Sequence, residues 1–200
     1  MFELLVATKN AGKIREIAEL LADAPIAVRS LREFAELSAP EETGATFAEN
    51  AVLKARYYAE ATKIPALADD SGLEVAALGG APGVYSARYA GANATDAERI
   101  AKLLGELRAA REPNRAARFV CAMALIDETG ESRCLAEGVC DGRIAESAAG
   151  ANGFGYDPVF VPEGFSRTFG ELPAQIKRKI SHRARATSKI VAFLRDSIVV

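Results

Sequence analysis

Two adjacent carboxylates, Asp69-Asp70, stand between an apolar run, Pro65-Ala66-Leu67-Ala68, and the turn-forming pair Ser71-Gly72. Neighbouring acids repel, and at a strand end they alternate faces, so they seldom serve a core. Hard Mg²⁺ takes one or two carboxylates and completes its shell with water and substrate phosphates. A carboxylate beside such an ion can also orient or deprotonate an attacking water. The competing reading is a solvated turn, because Asp, Ser and Gly favour turns on their own account. A second acidic cluster, Glu41-Glu42-Thr43-Gly44, precedes a helix start at Thr46. Alone it reads as a solvated loop supported by the helix dipole. It gains chemical meaning only where the fold carries it to Asp70.

Three further constellations suit a nucleotide. Thr8-Lys9-Asn10-Ala11-Gly12-Lys13 follows an apolar strand and opens a helix. Ligands of α/β sheets sit outside strand carboxyl ends, where helix amino termini aim unpaired N–H groups at anions. Asn10 can donate to a phosphate or sugar oxygen, Gly12 admits a close backbone approach, and Lys13 brings a point charge. It is no Walker loop, since the spaced glycines and the Lys-Ser/Thr pair are missing. A polar turn that caps the helix is the alternative. Gly150–Pro158 interleaves three glycines with Phe154 and Tyr156, a pattern that offers aromatic faces to a purine, with Asp157 bonding to the base or to its own loop. Aromatics covering a sheet edge are the bland alternative. Lys177-Arg178-Lys179-Ile180-Ser181-His182-Arg183 holds the sole histidine of the chain. One histidine makes no zinc site. Within a basic heptad it suits a donor to base or phosphate oxygens, against the alternative of a basic helix start on the surface.

These groups need elements to hold them. Phe2–Ala7 reads as a short buried strand, and the period then changes, with Ile14, Ile17, Ala18, Leu20 and Leu21 on one helical face up to about Ala22. Strand, polar turn, helix is the opening of an α/β protein. Thr46 with Glu49, and Thr95 with Glu98, are capping boxes that start two more helices. The first carries a small-residue face (Ala48, Ala51, Val52, Ala55, Ala59) and the second an aliphatic stripe (Ile100, Leu103, Leu104, Leu107). Pro65–Ala68 reads as a strand that stops at the acids. Residues 117–126 and 132–139 flank Asp127-Glu128-Thr129-Gly130 as an antiparallel hairpin. Val159–Val161 is a short strand, and a helix spans 184–194. Val199-Val200 takes no assignment. The sum is a mixed sheet with helices on its faces.

The bulk properties exclude several classes. Two hundred residues, half of them hydrophobic, make one large domain or one domain with two lobes. A net charge of −2 gives no support to nucleic-acid polymers or membrane surfaces as partners. The run Met1–Ala7 is too short for a signal peptide or a span, and no stretch approaches the roughly 18 consecutive apolar residues of a membrane helix. Three cysteines (Cys121, Cys134, Cys140) form no C-x-x-C pair and read as reduced thiols in a cytoplasmic protein.

Taken together, these residues resemble the inosine/xanthosine triphosphate pyrophosphatases, which remove deaminated purine nucleotides from the precursor pool. The resemblance rests on Ala7–Lys13, Glu41–Phe47, Glu49-Asn50-Ala51, Lys54-Ala55, Ala68–Leu73, Gly79–Gly83, Tyr85–Tyr89, Gly153–Pro158 and Ile180–Arg183, in this order and spacing. It implies an elongated α/β fold over residues 1–200, a mixed sheet flanked by helices, with two lobes around a central substrate cleft, and a homodimer. It implies Asp70 as the base for the attacking water and as a Mg²⁺ ligand, with Glu41 near the same metal. Thr8, Lys9, Asn10, Ala11, Gly12 and Lys13, with Ser71, would hold the triphosphate. Phe154, Gly155, Tyr156, Asp157, Lys177, His182 and Arg183 would recognise the purine and its nearby phosphates. Two places depart from the family pattern: Lys9, often glycine, and Gln175-Ile176, often both glutamate.

The implied reaction is attack of water on the α-phosphorus with loss of pyrophosphate. Selectivity must lie in the base, where donors to a 6-oxo group leave an unpaired donor or a clash with adenine. Two rivals remain. One is a Maf-like pyrophosphatase for pyrimidine or modified triphosphates, against which the Ile180–Arg183 run and the Phe154–Asp157 loop argue. The other is a nucleotide sensor without turnover, for which Asp69, Asp70 and Glu41 are superfluous.

Overall fold

Leu4, Leu5 and Val6 are consecutive and all buried, as in a strand with neighbours on both faces of a parallel sheet. They belong to β1 (Phe2–Val6). The computed structural model describes residues 2–22, 26–110 and 114–198, so Met1 and the pair Val199-Val200 lie outside the described residues. β2 (Ile26–Ser30) pairs in parallel with β1 from Phe2–Ile26 to Val6–Ser30. On its other side β1 pairs in parallel with β3 (Ala66–Val75) through Leu5–Ala66 and Val6–Leu67. With β4 (Ala116–Ile126), β5 (Ser132–Ile144) and β6 (Phe160–Pro162), the six-stranded sheet runs β2-β1-β3-β4-β5-β6. β6 is antiparallel to β5. The short Asp127–Glu131 link between neighbouring β4 and β5 leaves no room for a crossover, so the hairpin read from sequence forms.

Helices α1 (Ala11–Leu21), α2 (Phe47–Thr62) and α3 (Asp96–Ala109) begin where their capping residues dictate. Thr46 accepts from the Glu49 N–H while Glu49 Oε2 accepts from the Thr46 N–H, and Thr95 with Glu98 repeats the exchange. α4 (Ala174–Ile180) and α5 (His182–Ile198) end the described chain.

The residues group into two compact units. The first comprises Met1–Asp70, Cys121–Gly138 and His182–Val200, the second Ser71–Val120 and Val139–Ser181. In the first unit, Leu4, Val6, Leu67, Cys121, Met123 and Ala136 of the sheet pack with Ile17 and Leu21 of α1 and with Ala186, Ile190 and Leu194 of α5. The alternate residues, Leu5, Ala66, Ala68 and Ala122, are buried on the opposite face. The second unit is built on Leu73, Val75, the α3 stripe, Tyr156 and a trio of phenylalanines. Phe119 and Phe160 lie 4.5 Å apart between ring centres, and Phe160 and Phe169 5.6 Å apart.

The boundaries correct four sequence expectations. β3 does not stop at the acids but continues to Val75, because both carboxylates find partners and Leu73 and Val75 supply new core contacts. β5 extends past Val139 to Ile144, where its terminal residues pair with β6. The short strand is Phe160–Pro162, one residue later than read. α5 starts at His182 rather than Ala184 and runs to Ile198.

Candidate active site

In the first unit the strand alternation of β3 sends Asp69 and Asp70 to opposite faces. Asp69 shares its face with Leu67, the side covered by α1 and α5. There its Oδ2 lies 2.9 Å from Lys13 Nζ and 3.2 Å from Arg183 Nη2. Arg183 also reaches Glu16 Oε2. Burial alone would raise the Asp69 pKa, but Lys13, Arg183 and Lys54 outweigh it and hold the carboxyl well below the usual range. The same opposition keeps Arg183 charged, with Asp69 and Glu16 overcoming its burial. Beside them burial pushes the Cys121 thiol up to about 12, so it is an inert, protonated neighbour.

Asp70 faces α2. Its Oδ2 accepts from Asn50 Nδ2 at 3.1 Å, and its Oδ1 lies 3.4 Å from Lys54 Nζ. Here burial wins: the Asp70 pKa is raised, although Lys54 and Lys13 oppose the shift. The acidic loop does come to this group. Lys54 Nζ is 2.8 Å from Glu42 Oε1, and the Gly44 N–H donates to Asn50 Oδ1 at 2.8 Å. Glu41, the expected second metal carboxylate, stands exposed at the head of that loop, and Glu42 makes the link to Lys54.

Asn50, Lys54 and Glu16 were outside the set expected to act. The signal of the first two lies in the helical period: Asn50 and Lys54 sit four apart on α2, a polar pair beside the buried Ala51 and Ala55. As for a metal, no group of three or more His, Cys, Asp or Glu side chains comes together among the described residues. Mg²⁺ needs no such cage, because water and phosphate oxygens complete its shell. The all-oxygen donors Asp70 and Glu41 fit that ion.

The first loop is partly occupied with its own architecture. Asn10 Oδ1 accepts from the Lys13 N–H at 3.1 Å and caps α1, the role set out above as the alternative. Thr8 Oγ1 accepts from the Asn10 N–H at 3.2 Å. Lys9 Nζ donates to the Leu37 carbonyl at 3.1 Å, so the departure at position 9 fastens one loop to another. Ala11 and Gly12 form the first turn of α1.

In the second unit, Phe154, Gly155, Tyr156 and Asp157 do not behave alike. Tyr156 is buried in the core and donates to the Ser86 carbonyl at 2.9 Å. Phe154 is only half-buried, with Lys177 Nζ 4.6 Å from its ring centre. Asp157 is buried and accepts from the Phe154 N–H at 2.8 Å and from Lys177 Nζ. It therefore serves its own loop. Gly153 has φ +77°, and an added Cβ would stand 1.9 Å from Asp157 Oδ2, so the turn admits only glycine. The Gly155 N–H donates to Asp96 Oδ2 at 2.6 Å, tying the loop to the start of α3. Ser71 is half-buried, directly after Asp70 in β3.

Lys177, His182 and Arg183 are all buried, which removes the surface-helix alternative for them. His182 opens α5 in the first unit, and Arg183 is committed to Asp69 and Glu16.

The Ham1 family's sequence model matches residues 4–193. The chain belongs to the Ham1 family. A dITP/XTP pyrophosphatase from Coxiella burnetii is 48% identical to it over 203 residues, covering all of both chains. One from Geobacillus kaustophilus is 51% identical, covering 95% of this chain and 93% of its own. Among solved structures, a HAM1 protein from Coxiella burnetii matches with a TM-score of 0.91, 48% identity, and 98% and 100% of the two chains covered. The Staphylococcus aureus Ham1 protein matches at 0.86 with 40% identity over 98% and 99%. The α/β architecture, a mixed sheet flanked by helices, is thus the family's own.

Proposed function

We propose that this Ham1-family chain hydrolyses deaminated purine nucleoside triphosphates (dITP, XTP, ITP) to the monophosphate and pyrophosphate. The observation that carries the reading is Asp70: a buried carboxylate with a raised pKa, held by Asn50 and Lys54 beside an acidic loop. It sits in a chain about half identical, end to end, to dITP/XTP pyrophosphatases.

In this reading Asp70 accepts the proton of a water that attacks the α-phosphorus, and the α–β anhydride bond breaks as pyrophosphate leaves. A raised pKa suits a base that must hold that proton. Lys13 and the α1 amino terminus bring positive charge to the triphosphate. Asp70 and Glu41 would hold Mg²⁺, which when bound neutralises charge on the phosphates. Phe154 stacks on the purine, and Lys177 and His182 donate to its oxygens. A homodimer and a cytoplasmic location belong to the same proposal. No helix among the described residues is long and apolar enough to cross a membrane.

The test is product analysis with dITP and Mg²⁺. Pyrophosphate and dIMP in equal amounts support the reading. Orthophosphate and dIDP as primary products, or binding without turnover, defeat it. Light scattering of the purified chain tests the homodimer, and a monomer mass rejects it.

A further inference from the structure

We infer that Asn50 is a positioning residue, which locks the acidic loop and Asp70 into one arrangement before substrate and metal arrive. The inference rests on the function proposed above for Asp70 and Glu41. Asn50 has no exposed surface and lies in the first turns of α2, just past the capping box. Asparagine is a mediocre helix former, and burying its amide is costly unless both ends are bonded. Both ends are. Oδ1 accepts from the Gly44 N–H at 2.8 Å, and Nδ2 donates to Asp70 Oδ2 at 3.1 Å. The assignment is unambiguous chemically, since the Gly44 N–H can only donate and an ionised carboxylate can only accept.

A second observation points the same way. A Cβ on Gly44 would stand 2.7 Å from Asn50 Oδ1 and 2.9 Å from the Asn50 backbone nitrogen. The loop is therefore pressed onto α2 at the point where Asn50 holds it, and a side chain there would lift it off. One turn further on, Lys54 makes a parallel bridge, 2.8 Å to Glu42 and 3.4 Å to Asp70. The two bridges differ in what they fix. Lys54 supplies a point charge without directional geometry, whereas the planar Asn50 amide fixes the rotation of the Asp70 carboxylate and the height of the loop together. Glu41 is three residues from the held amide of Gly44, so the clamp limits where its carboxylate can go.

The test uses the full chain, with Mn²⁺ as the probe of an oxygen-ligand site, titrated by electron paramagnetic resonance. Amide hydrogen exchange is read on the metal-free protein. Asn50→Leu, close in size, is expected to remove the protection of the Gly44 amide. It should weaken Mn²⁺ binding about 10–100-fold, the usual effect of losing an outer-sphere partner. The Mg²⁺ concentration for half-maximal turnover rises with it. Gly44→Ala, which keeps Asn50 and leaves the helix sequence intact, is expected to weaken Mn²⁺ binding in the same direction. A merely structural asparagine would move the melting temperature and neither metal readout. Unchanged Gly44 exchange and unchanged Mn²⁺ affinity in folded Asn50→Leu overturn the inference. If that variant fails to fold, normal Mn²⁺ affinity in Gly44→Ala overturns it instead. Wild-type protein assayed in parallel separates the two readings: failure to release pyrophosphate from dITP defeats the function, while the exchange and metal data still judge the clamp.

Discussion

Asp69 and Asp70 are consecutive in β3, yet their carboxylates bond to different helices: Asp69 to Lys13 of α1 and Arg183 of α5, Asp70 to Asn50 and Lys54 of α2. One carboxyl is held far below its usual pKa and the other above it. Divergent pKa values in a carboxylate pair divide labour between a fixed charge and a proton acceptor. In the function proposed above, Asp69 is the fixed charge and Asp70 the proton acceptor.

Asp70→Asn is therefore expected to cut kcat with dITP by about 10²–10⁴-fold, the usual worth of a general base. The metal-free protein should be no less stable. Because the folded pKa of Asp70 is raised, its ionised form subtracts stability at neutral pH, and the neutral amide removes that cost. Steady-state kinetics and urea unfolding at pH 7 check both halves. Near-normal turnover would move the base to another residue.

Asp69→Asn should do the reverse to stability. It strands Lys13 and the buried Arg183, and breaking a buried pair from one side costs about 3–5 kcal/mol. The depressed folded pKa gives the sign with pH. The wild-type contribution is present above the unfolded pKa of about 4 and is lost as pH falls below it. The stability gap between wild type and Asp69→Asn should therefore shrink on acidification. A gap that stays constant from pH 7 to the acid limit contradicts this assignment.

Base selection is read on His182. His182→Ala is expected to lower kcat/KM for dITP far more than for dATP, because a lost donor to a buried 6-oxo group costs about 1–3 kcal/mol, roughly ten- to two-hundred-fold. The triphosphate is common to both substrates. Equal losses would assign His182 to the phosphates.

The two aromatics of the glycine-rich loop should separate cleanly. Phe154→Ala removes a half-buried ring and should weaken dITP by about 1–3 kcal/mol, mainly in KM. Tyr156→Ala empties a core position and should lower stability by about 3–5 kcal/mol. Thermal melts beside Michaelis–Menten curves for the two variants decide it, and a large melting loss in Phe154→Ala would count against the stacking role.

The sequence by itself determined the elements whose signals are local. The Thr46/Glu49 and Thr95/Glu98 boxes start α2 and α3 because a cap is settled within four residues. The hairpin at Asp127–Gly130 and the strand-to-helix turn at Asn10 are equally short-range. The family was legible from the order of its motifs. What only the tertiary structure decided is where charges find compensation. Asp69-Asp70 read as the end of a strand, since two buried acids without partners cannot continue one. The partners come from residues 13, 50, 54 and 183, and with them β3 runs on to Val75. The same physics draws Arg183, grouped in sequence with His182 as recognising the purine and its nearby phosphates, to Asp69 and Glu16. Pairing across more than a hundred residues follows from the packing of helices on the sheet, and no local period encodes it.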